Sequence, residues 1–150
     1  RAYIFEAIAF ARRNGYIEDI FGRRRYVPEA TSTSKYVRAA GERQVQNMPV
    51  QATAAGIIKI AMGKLIRLDG TGVLDKWINL DLVRAVLQVH DELIIEVYEP
   101  IWQEVATEVK AVMESCCPWF SIPLRVDIET GPSWGELKEA DFNASNSKWN

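Results

Sequence analysis

Residues 83–97 constrain the fold of this chain more than any other segment does. Val, Leu and Ile fill most of its positions, and a short polar break of His90, Asp91 and Glu92 interrupts them. Two apolar runs around such a break are typical of antiparallel strands joined by a tight turn. Because both faces of these strands carry apolar side chains, we expect the hairpin to be buried on two sides.

Helices are predicted on both sides of this hairpin in the sequence. Apolar residues recur at helical spacing, and proline suits the first turn of a helix, so two of the helices are expected to start at prolines. The predicted helices cover residues 2–14, ending at Gly15, residues 35–47, residues 49–68, and a segment from Pro100 with Glu104, Glu108 and Glu114 facing outward.

The remaining segments predict shorter elements. Residues 16–21 and 24–27 indicate a second hairpin that turns at Gly22. Residues 124–128 alternate apolar and polar side chains, as a half-buried strand does. Residues 69–82 show no regular pattern and are expected to form a loop. The predicted fold class is therefore α+β, an antiparallel sheet with packed helices.

The composition is that of a globular protein and excludes several classes. Of the 150 residues, 48% are apolar, yet no apolar run approaches the ~20 residues of a membrane helix. Two cysteines and one histidine cannot assemble a structural zinc site of four ligands. Adjacent cysteines rarely form a disulfide, so we expect Cys116 and Cys117 to be thiols in a reducing, cytoplasmic setting. The chain begins at Arg1 without a Met, and we expect that it is cut from a longer protein.

The charge is unevenly distributed, although the net charge is only −2. Residues 1–50 hold nine Lys and Arg against five Asp and Glu, and residues 51–150 hold nine against fifteen. The basic first third could face phosphates, whose neutralisation dominates DNA affinity. Chance segregation of solvated charges explains the same distribution, so charge alone does not indicate a nucleic-acid partner.

Asp91 and Glu92 are the residues that most directly suggest chemistry. Burying a carboxylate without a partner costs several kcal/mol, so acids inside an apolar hairpin need a cation, donors or solvent. Mg²⁺ prefers oxygen ligands and takes only one or two carboxylates together with substrate phosphates. The alternative is that both are ordinary turn residues, since Asp is common in turns.

Several polar residues recur on the two predicted helices that meet at Pro49, with Gln51 at the start of the second helix, and we call these residues the polar helical stretch. Residues four apart share a helix face, and Asn, Gln and Arg side chains there could bond to minor-groove acceptors, which every base pair presents. Such contacts test base-pair geometry without selecting sequence. The alternative is a surface helix with an Arg38–Glu42 ion pair worth under about 1 kcal/mol. The stretch carries Arg38, Glu42, Arg43, Asn47 and Gln51.

Three adjacent arginines, Arg23, Arg24 and Arg25, lie in the first predicted hairpin. They could contact phosphates, or they could protect a strand edge by charge. His90 alone is more often a structural histidine than a catalyst.

Four ordered motifs resemble those of family A DNA polymerases of the bacterial DNA polymerase I type. Residues 15–28 resemble the family segment GYVET…GRRRYLP, and residues 41–59 resemble AERxAxNxPIQGTAADIIK. Residues 88–93 match QVHDEL, the family's motif C, and residues 122–134 resemble the closing VPLxVdxxxGxxW. The resemblance covers residues 2–138, nearly the whole chain.

This resemblance implies roles for particular residues in a right-hand polymerase. Residues 1–70 would end the fingers and lead into the palm, residues 71–140 would form the palm part around motif C, and residues 141–150 would be a polar tail. Asp91 would bind metal, Glu92 would tune the site, and His90 would lie by the primer terminus.

The resemblance also implies DNA contacts for residues of the polar helical stretch. Arg43, Asn47 and Gln51 match family residues that contact template or primer near the nascent base pair. Arg38 and Arg24 are further candidates for contact with DNA.

The implied activity is DNA-directed DNA synthesis in replication and repair, by two-metal nucleotidyl transfer to a primer 3′ hydroxyl. The implied partners are primer-template DNA, deoxynucleoside triphosphates and two Mg²⁺ ions, for a monomeric, nucleoid-associated cytoplasmic enzyme without membrane contact. The family's motif A, with the second metal-binding aspartate, and its nucleotide-binding fingers helix are not in these residues, so we expect the chain alone to be inactive. A single-subunit RNA polymerase relative and a non-catalytic DNA-binding remnant are the alternatives.

The sequence departs from the family pattern at three positions of the second motif. Ala52 replaces the usual Gly, Gly56 the usual Asp, and Gly41 the usual Ala. Each additional glycine is expected to lower helix stability by up to about 1 kcal/mol relative to Ala.

Overall fold

A computed structural model describes residues 2–142 of the chain. These residues divide into two compact units, the first ending at Gly56 and the second beginning at Ile57. The mixed content of helices and antiparallel strands confirms the predicted α+β class. Across the described residues, no helix combines the length and the apolar character needed to cross a membrane. The predicted polar tail lies outside the described residues from position 143 onward.

The first unit opens with a helix and a short hairpin. Helix α1 (Ala2–Asn14) ends at Gly15, whose N–H donates to Ala11 O at 2.8 Å and whose φ of 78° suits glycine. Strands β1 (Tyr16–Glu18) and β2 (Arg24–Tyr26) then pair antiparallel, with Ile17 opposite Arg25. The helix and the hairpin are both confirmed, although both strands are shorter than predicted.

The core of the first unit consists mainly of small side chains. A short 3₁₀ turn (Pro28–Thr31) follows the hairpin and leads into helix α2 (Lys35–Leu65). The helix, the hairpin and the turn all contribute buried residues, and Ile8, Phe10 and Met48 pack against them at the margin. The buried residues are Ala7, Ala11, Ile17, Val27, Ala30 and Val45.

The predicted break at Pro49 is wrong, because α2 is one helix of 31 residues with Pro49 inside it. Proline in a helix interior costs about 3 kcal/mol, since it removes a hydrogen bond and its ring crowds the preceding turn. Burial of a large apolar side chain contributes about 1.5–3 kcal/mol, and α2 buries Val45 before the proline and Ile58 and Leu65 after it. Packing on both sides of Pro49 therefore outweighs the local cost.

Two of the unusual glycines lie where a larger residue does not fit. A Cβ on Gly41 would lie 2.7 Å from the backbone N of Ala30, and a Cβ on Gly56 would lie 2.3 Å from the Phe21 ring. Both residues are buried, whereas Gly63 of the same helix has open space around its Cβ position. Gly41 and Gly56 lower the helix propensity of α2, but their lack of a Cβ allows the segments around Ala30 and Phe21 to approach the helix closely.

The second unit is built around the hairpin predicted from residues 83–97. Strands β3 (Val83–Val89) and β4 (Glu92–Val97) pair antiparallel, with a bulge between Ala85 and Leu87. Helix α4 (Trp102–Ser115) follows a short 3₁₀ turn and buries Val105 and Val109 against the hairpin. A further 3₁₀ turn (Trp134–Glu136) separates the short paired strands β5 (Glu129–Thr130) and β6 (Lys138–Glu139).

The loop expected over residues 69–82 contains a short helix, α3 (Asp75–Ile78). Its first residue, Asp75, is buried and accepts a hydrogen bond from the Gly72 N–H at 2.7 Å. The neighbouring Leu74 and Trp77 are buried in the core of the second unit. One buried carboxylate and two large apolar side chains thus fix the conformation of the segment 69–82, whose sequence shows no regular pattern.

The expected burial of the hairpin on two sides is wrong. Val86 is 53% exposed and Leu87 is 46% exposed, whereas Leu93 and Ile95 pack on the core with α4. Within residues 2–142, β3 and β4 pair only with each other, so one face and both outer edges lack a covering layer.

The strand predicted over residues 124–128 is also wrong as a strand, although its alternation of burial is observed. No ladder partner lies beside it in the described part of the chain. The backbone of Val126 is bonded instead to side chains of α4: Val126 N–H donates to Glu114 Oε1 at 3.0 Å, and Lys110 Nζ donates to Val126 O at 2.6 Å. At the end of the segment, Ile128 O accepts the Ala140 N–H at 2.9 Å. Glu114 therefore faces this segment and not solvent alone, contrary to the prediction.

Two glycine substitutions in α2 are expected to have opposite effects. Gly41→Ala should lower the free energy of unfolding, because its Cβ would contact backbone atoms of Ala30 and Glu29 that cannot rotate away. Gly63→Ala should raise it by roughly 0.5–1 kcal/mol, the ordinary difference in helix propensity. Urea unfolding followed by circular dichroism measures both, and stabilisation by Gly41→Ala would show that the close approach does not hold.

Candidate functional site

The acidic residues at the end of the β3–β4 hairpin are placed by a two-residue turn. Val89 pairs with Glu92, so His90 and Asp91 form the connection. His90 has φ of 53°, a left-handed conformation that is uncommon outside glycine but enriched for His. The Gln88 side-chain amide donates to His90 O and braces this turn. The register of the hairpin therefore fixes Asp91 at its apex.

His90, Asp91 and Glu92 are all exposed. An exposed carboxylate at a braced apex is accessible to a ligand and has no desolvation cost to offset. In residues 2–142, no three His, Cys, Asp or Glu side chains are arranged to hold a metal ion. These residues therefore fit Mg²⁺ only as a partial site, which agrees with its preference for one or two carboxylates plus other oxygens.

The first unit contains an open groove beside α2, which we call the α2 groove. Its lining includes three of the residues predicted to contact DNA, Arg43, Asn47 and Gln51. These residues are four positions apart, so they share one face of a helix, in which a turn takes about 3.6 residues. Since α2 passes through Pro49 without a break, Gln51 stays in phase with Arg43 and Asn47. The groove has a volume of about 390 Å³ and is lined by Arg25, Ala40, Arg43, Gln44, Asn47, Met48 and Gln51.

The three adjacent arginines of the first hairpin have three different environments. Arg23 Nε donates to Asp19 Oδ2 at 2.7 Å, and Arg23 also donates to Ala52 O. Arg24 pairs with Glu18 and lies over the Tyr16 ring, 4.5 Å from its centroid. The hydrogen bond that Arg24 donates to Glu18 is the main reason that the pKa of Arg24 is raised.

Arg25 is the arginine of this hairpin that lines the α2 groove. Its guanidinium donates to Gln44 Oε1 at 3.0 Å. Arg24, and not Arg25, is the arginine of this hairpin that the sequence predicts as a candidate for DNA contact. The alternation of side chains along β2 could have distinguished Arg25 from Arg24, because side chains of neighbouring strand residues point to opposite faces.

Arg38, the other predicted DNA contact, does not line the α2 groove. It is half-buried and its Nη1 donates to Ser32 O at 2.9 Å, which ties α2 to the segment before it. The alternative Arg38–Glu42 ion pair is replaced, because Glu42 pairs with Arg12 of α1. Arg38 thus has a structural contact that explains its position.

Asp19 holds the hairpin that carries Arg25. Its buried carboxylate accepts the N–H groups of Phe21 and Arg23, each at 2.9 Å, besides the guanidinium of Arg23. Burial by itself would raise the pKa of Asp19, but these hydrogen bonds and the charge of Arg23 outweigh it and lower the pKa.

Comparison with known proteins gives one consistent relationship. The family model described as DNA polymerase family A matches residues 1–136. The thermostable DNA polymerase I of Thermus filiformis is 44% identical over 140 residues, which is 93% of this chain and 16% of the relative. DNA polymerase I of Deinococcus radiodurans is 42% identical over 139 residues, covering 92% of this chain and 13% of the relative.

A solved structure agrees with these sequence matches. The POL domain of Pol1 from M. smegmatis, in complex with DNA primer-template and dNTP, matches with a TM-score of 0.70 and 38% identity. The match covers 83% of this chain and 21% of that one. The fold and the sequence together define a polymerase-type chain. It belongs to DNA polymerase family A and spans about one sixth of the length of the curated relatives it matches.

Replacement of Asp19 is expected to weaken the first unit in a pH-dependent way. A carboxyl whose pKa is lowered on folding stabilises the native state above its ordinary pKa, and this contribution is lost as pH falls through the folded value. Asp19→Asn should therefore lower the free energy of unfolding by about 1–3 kcal/mol at pH 7 and by much less near pH 3.

Urea unfolding at the two pH values measures this difference. Glu18→Gln is the matched control, since its ion pair with Arg24 is exposed and is expected to contribute under about 1 kcal/mol. A stability loss for Asp19→Asn that stays constant between pH 7 and pH 3 would contradict the role of the ionised carboxylate.

Proposed function

We propose that this chain is a catalytic part of a DNA-directed DNA polymerase, acting in replication and repair by adding nucleotides to a primer 3′ hydroxyl. The observation that carries the proposal is Asp91, an exposed carboxylate at the apex of a braced hairpin within the motif Gln-Val-His-Asp-Glu-Leu. Membership of family A supports it, as do relatives named DNA polymerase I. The solved neighbour holds DNA primer-template and dNTP, which supports the same partners here.

Asp91 is the residue that would hold a Mg²⁺ ion in this proposal. When bound, Mg²⁺ supplies stabilisation of the negative charge that develops on a transferring phosphoryl group. Glu92, next to Asp91 at the start of β4, adds a second negative charge beside this carboxylate. His90 precedes Asp91 in the turn, and its imidazole could donate to or accept from the primer terminus.

A second carboxylate is proposed to come from outside these 150 residues. Two Mg²⁺ ions need more than one acidic ligand, and no group of three metal-binding side chains exists in residues 2–142. The β3–β4 hairpin has outer edges without a ladder partner in the described residues, so a further strand can add to it. We propose that such a strand carries the family's other aspartate.

The α2 groove is proposed to contact primer-template DNA. Arg25 and Arg43 place two cations on its lining, where they would neutralise phosphates. Asn47 and Gln51 offer amide donors and acceptors, which suit minor-groove atoms that every base pair presents. This combination binds DNA without selecting its sequence, as templated copying requires.

Replacement of Asp91 tests the catalytic proposal. In a polymerase that contains this chain, Asp91→Ala should lower primer extension roughly 10³-fold or more, equivalent to about 4 kcal/mol of transition-state stabilisation. DNA affinity should stay within about twofold, because Asp91 neutralises no phosphate. The 150-residue chain alone should show no extension.

Primer-extension gels and fluorescence anisotropy with labelled primer-template measure the two quantities. Glu96→Ala, which removes another exposed carboxylate of β4, is the matched control and should retain activity. Primer extension retained by Asp91→Ala would show that Asp91 does not act in catalysis and would favour a non-catalytic, DNA-binding role for this chain. Primer extension by the 150-residue chain alone would refute the need for a second carboxylate.

Single substitutions in the α2 groove should separate charge contacts from neutral contacts. Arg25→Ala should weaken binding of primer-template DNA and reduce the slope of log K against log salt by about 0.9, the value for one phosphate contact. Gln51→Ala should weaken binding while leaving the slope unchanged, because its amide carries no charge. Anisotropy titrations of this chain from 50 to 200 mM salt provide both numbers.

Arg24→Ala is the comparison within the same strand. Its guanidinium is paired with Glu18, so its removal should change the slope less than removal of Arg25. A larger change for Arg24 than for Arg25 would contradict the assignment of Arg25 to the DNA surface.

A further inference from the structure

The turn between β1 and β2 lies against α2. It consists of residues 19–23, and we call it the β1–β2 turn. Phe21 approaches Gly56 so closely that an added Cβ would lie 2.3 Å from its ring. The backbone N–H of Ile20 donates to Thr53 Oγ1 at 3.5 Å. The β1–β2 turn thus contacts α2 at positions that lie within one turn of the helix.

Pro49 weakens α2 just before Gln51. Proline has no N–H, so the helical hydrogen bond to Val45 O is missing. Gln51 lies two positions after the proline, whereas Arg43 and Asn47 of the α2 groove lie before it. The alignment of Gln51 with Arg43 and Asn47 therefore depends on the contacts that hold the turn of α2 after Pro49.

Arg23 donates a directed hydrogen bond to this turn of α2. Its Nη2 donates to Ala52 O, the carbonyl that follows Gln51 in the chain. Its Nε donates to Asp19 Oδ2 at 2.7 Å, and the Asp19 side chain is fully buried. Because a guanidinium is planar and rigid, a fixed Nε also fixes the direction of Nη2. The donor is therefore oriented by the β1–β2 turn and not by α2 itself.

We propose that Arg23 is a positioning residue for Gln51. By donating to Ala52 O, Arg23 holds the turn of α2 after the proline, so that Gln51 stays on the lining of the α2 groove. Arg23 itself does not line this groove, and the charge of Asp19 compensates its own charge, so no phosphate contact is assigned to it. The inference rests on the proposed function, because Gln51 is proposed there to contact primer-template DNA.

Arg23→Lys tests the inference, because it keeps the positive charge but loses the planar fork of donors. One ammonium group cannot reproduce the fixed geometry between Asp19 and Ala52, whereas it would still serve as a phosphate contact. We expect Arg23→Lys to weaken binding of primer-template DNA roughly 3- to 10-fold, the range for one lost hydrogen bond. Fluorescence anisotropy of the 150-residue chain with labelled primer-template, at one salt concentration, measures the affinities.

A double-mutant cycle with Gln51→Ala separates positioning from general stabilisation. Gln51→Ala removes the contact that Arg23 supports, so in that background Arg23→Lys should change the DNA affinity by less than about twofold. In the Arg43→Ala background, where Gln51 remains, Arg23→Lys should keep its full effect. A role in stability alone would weaken DNA binding by the same factor in both backgrounds.

Two further variants complete the experiment. Asp19→Asn leaves the charge of Arg23 but removes its anchor, so it should also weaken DNA binding, and again only while Gln51 is present. Arg12→Lys is the matched control, because Arg12 bonds to Glu42 of α2 and its side chain is 48% exposed, against 42% for Arg23. This exposed ion pair contributes little, so Arg12→Lys should bind DNA within about twofold of the parent.

The outcomes distinguish this inference from the proposed function. If Gln51→Ala weakens DNA binding but Arg23→Lys does not, or if Arg23→Lys has the same effect with and without Gln51, the inference is overturned and the DNA contact of Gln51 stands. If Gln51→Ala leaves the DNA affinity unchanged, the proposed contact fails and the inference fails with it. Circular dichroism checks that each variant is folded, and should Arg23→Lys not fold, the cycle of Asp19→Asn with Gln51→Ala decides by the same criteria.

Discussion

The continuity of helix α2 through Pro49 is the constraint on which most of the structure depends. This helix contributes Val45 to the core of the first unit and Leu65 and Ala61 to two clusters of the second. It also keeps Arg43, Asn47 and Gln51 on one face, so the α2 groove exists only because the helical phase is not lost. The cost of an interior proline is about 3 kcal/mol, which the buried apolar residues on its two sides exceed.

Carboxylates have two distinct roles in this chain, and the degree of burial distinguishes one role from the other. Asp19 and Asp75 are buried and accept several hydrogen bonds from nearby backbone N–H groups, so they hold loops in place. Asp91 is exposed at the apex of a hairpin whose turn includes a left-handed His90. A buried carboxylate whose oxygens accept hydrogen bonds from its own loop has a structural role. An exposed carboxylate at a braced turn is accessible to a ligand.

The exposed face of the β3–β4 hairpin fits the short span of this chain relative to its curated relatives. Val86 and Leu87 are apolar but exposed, and residues 124–128 alternate like a strand without a strand beside them in the described part of the chain. Extended segments with apolar faces and open edges are ordinarily covered or paired in complete domains. These features therefore support the proposal that further segments complete the sheet.

Local patterns in the sequence determined the α+β class, α1 with its Gly15 end, both hairpins, and the apex position of Asp91, because hydrophobic periodicity and turn residues act over a few positions. The motifs also indicated the family and three residues of the α2 groove. Only the tertiary structure decided that α2 continues past Pro49, that Arg25 and not Arg24 lines the groove, and that Lys110 and Glu114 bind the backbone of Val126. These outcomes depend on contacts between residues distant in sequence, whose packing energies exceed the local preferences that a sequence displays.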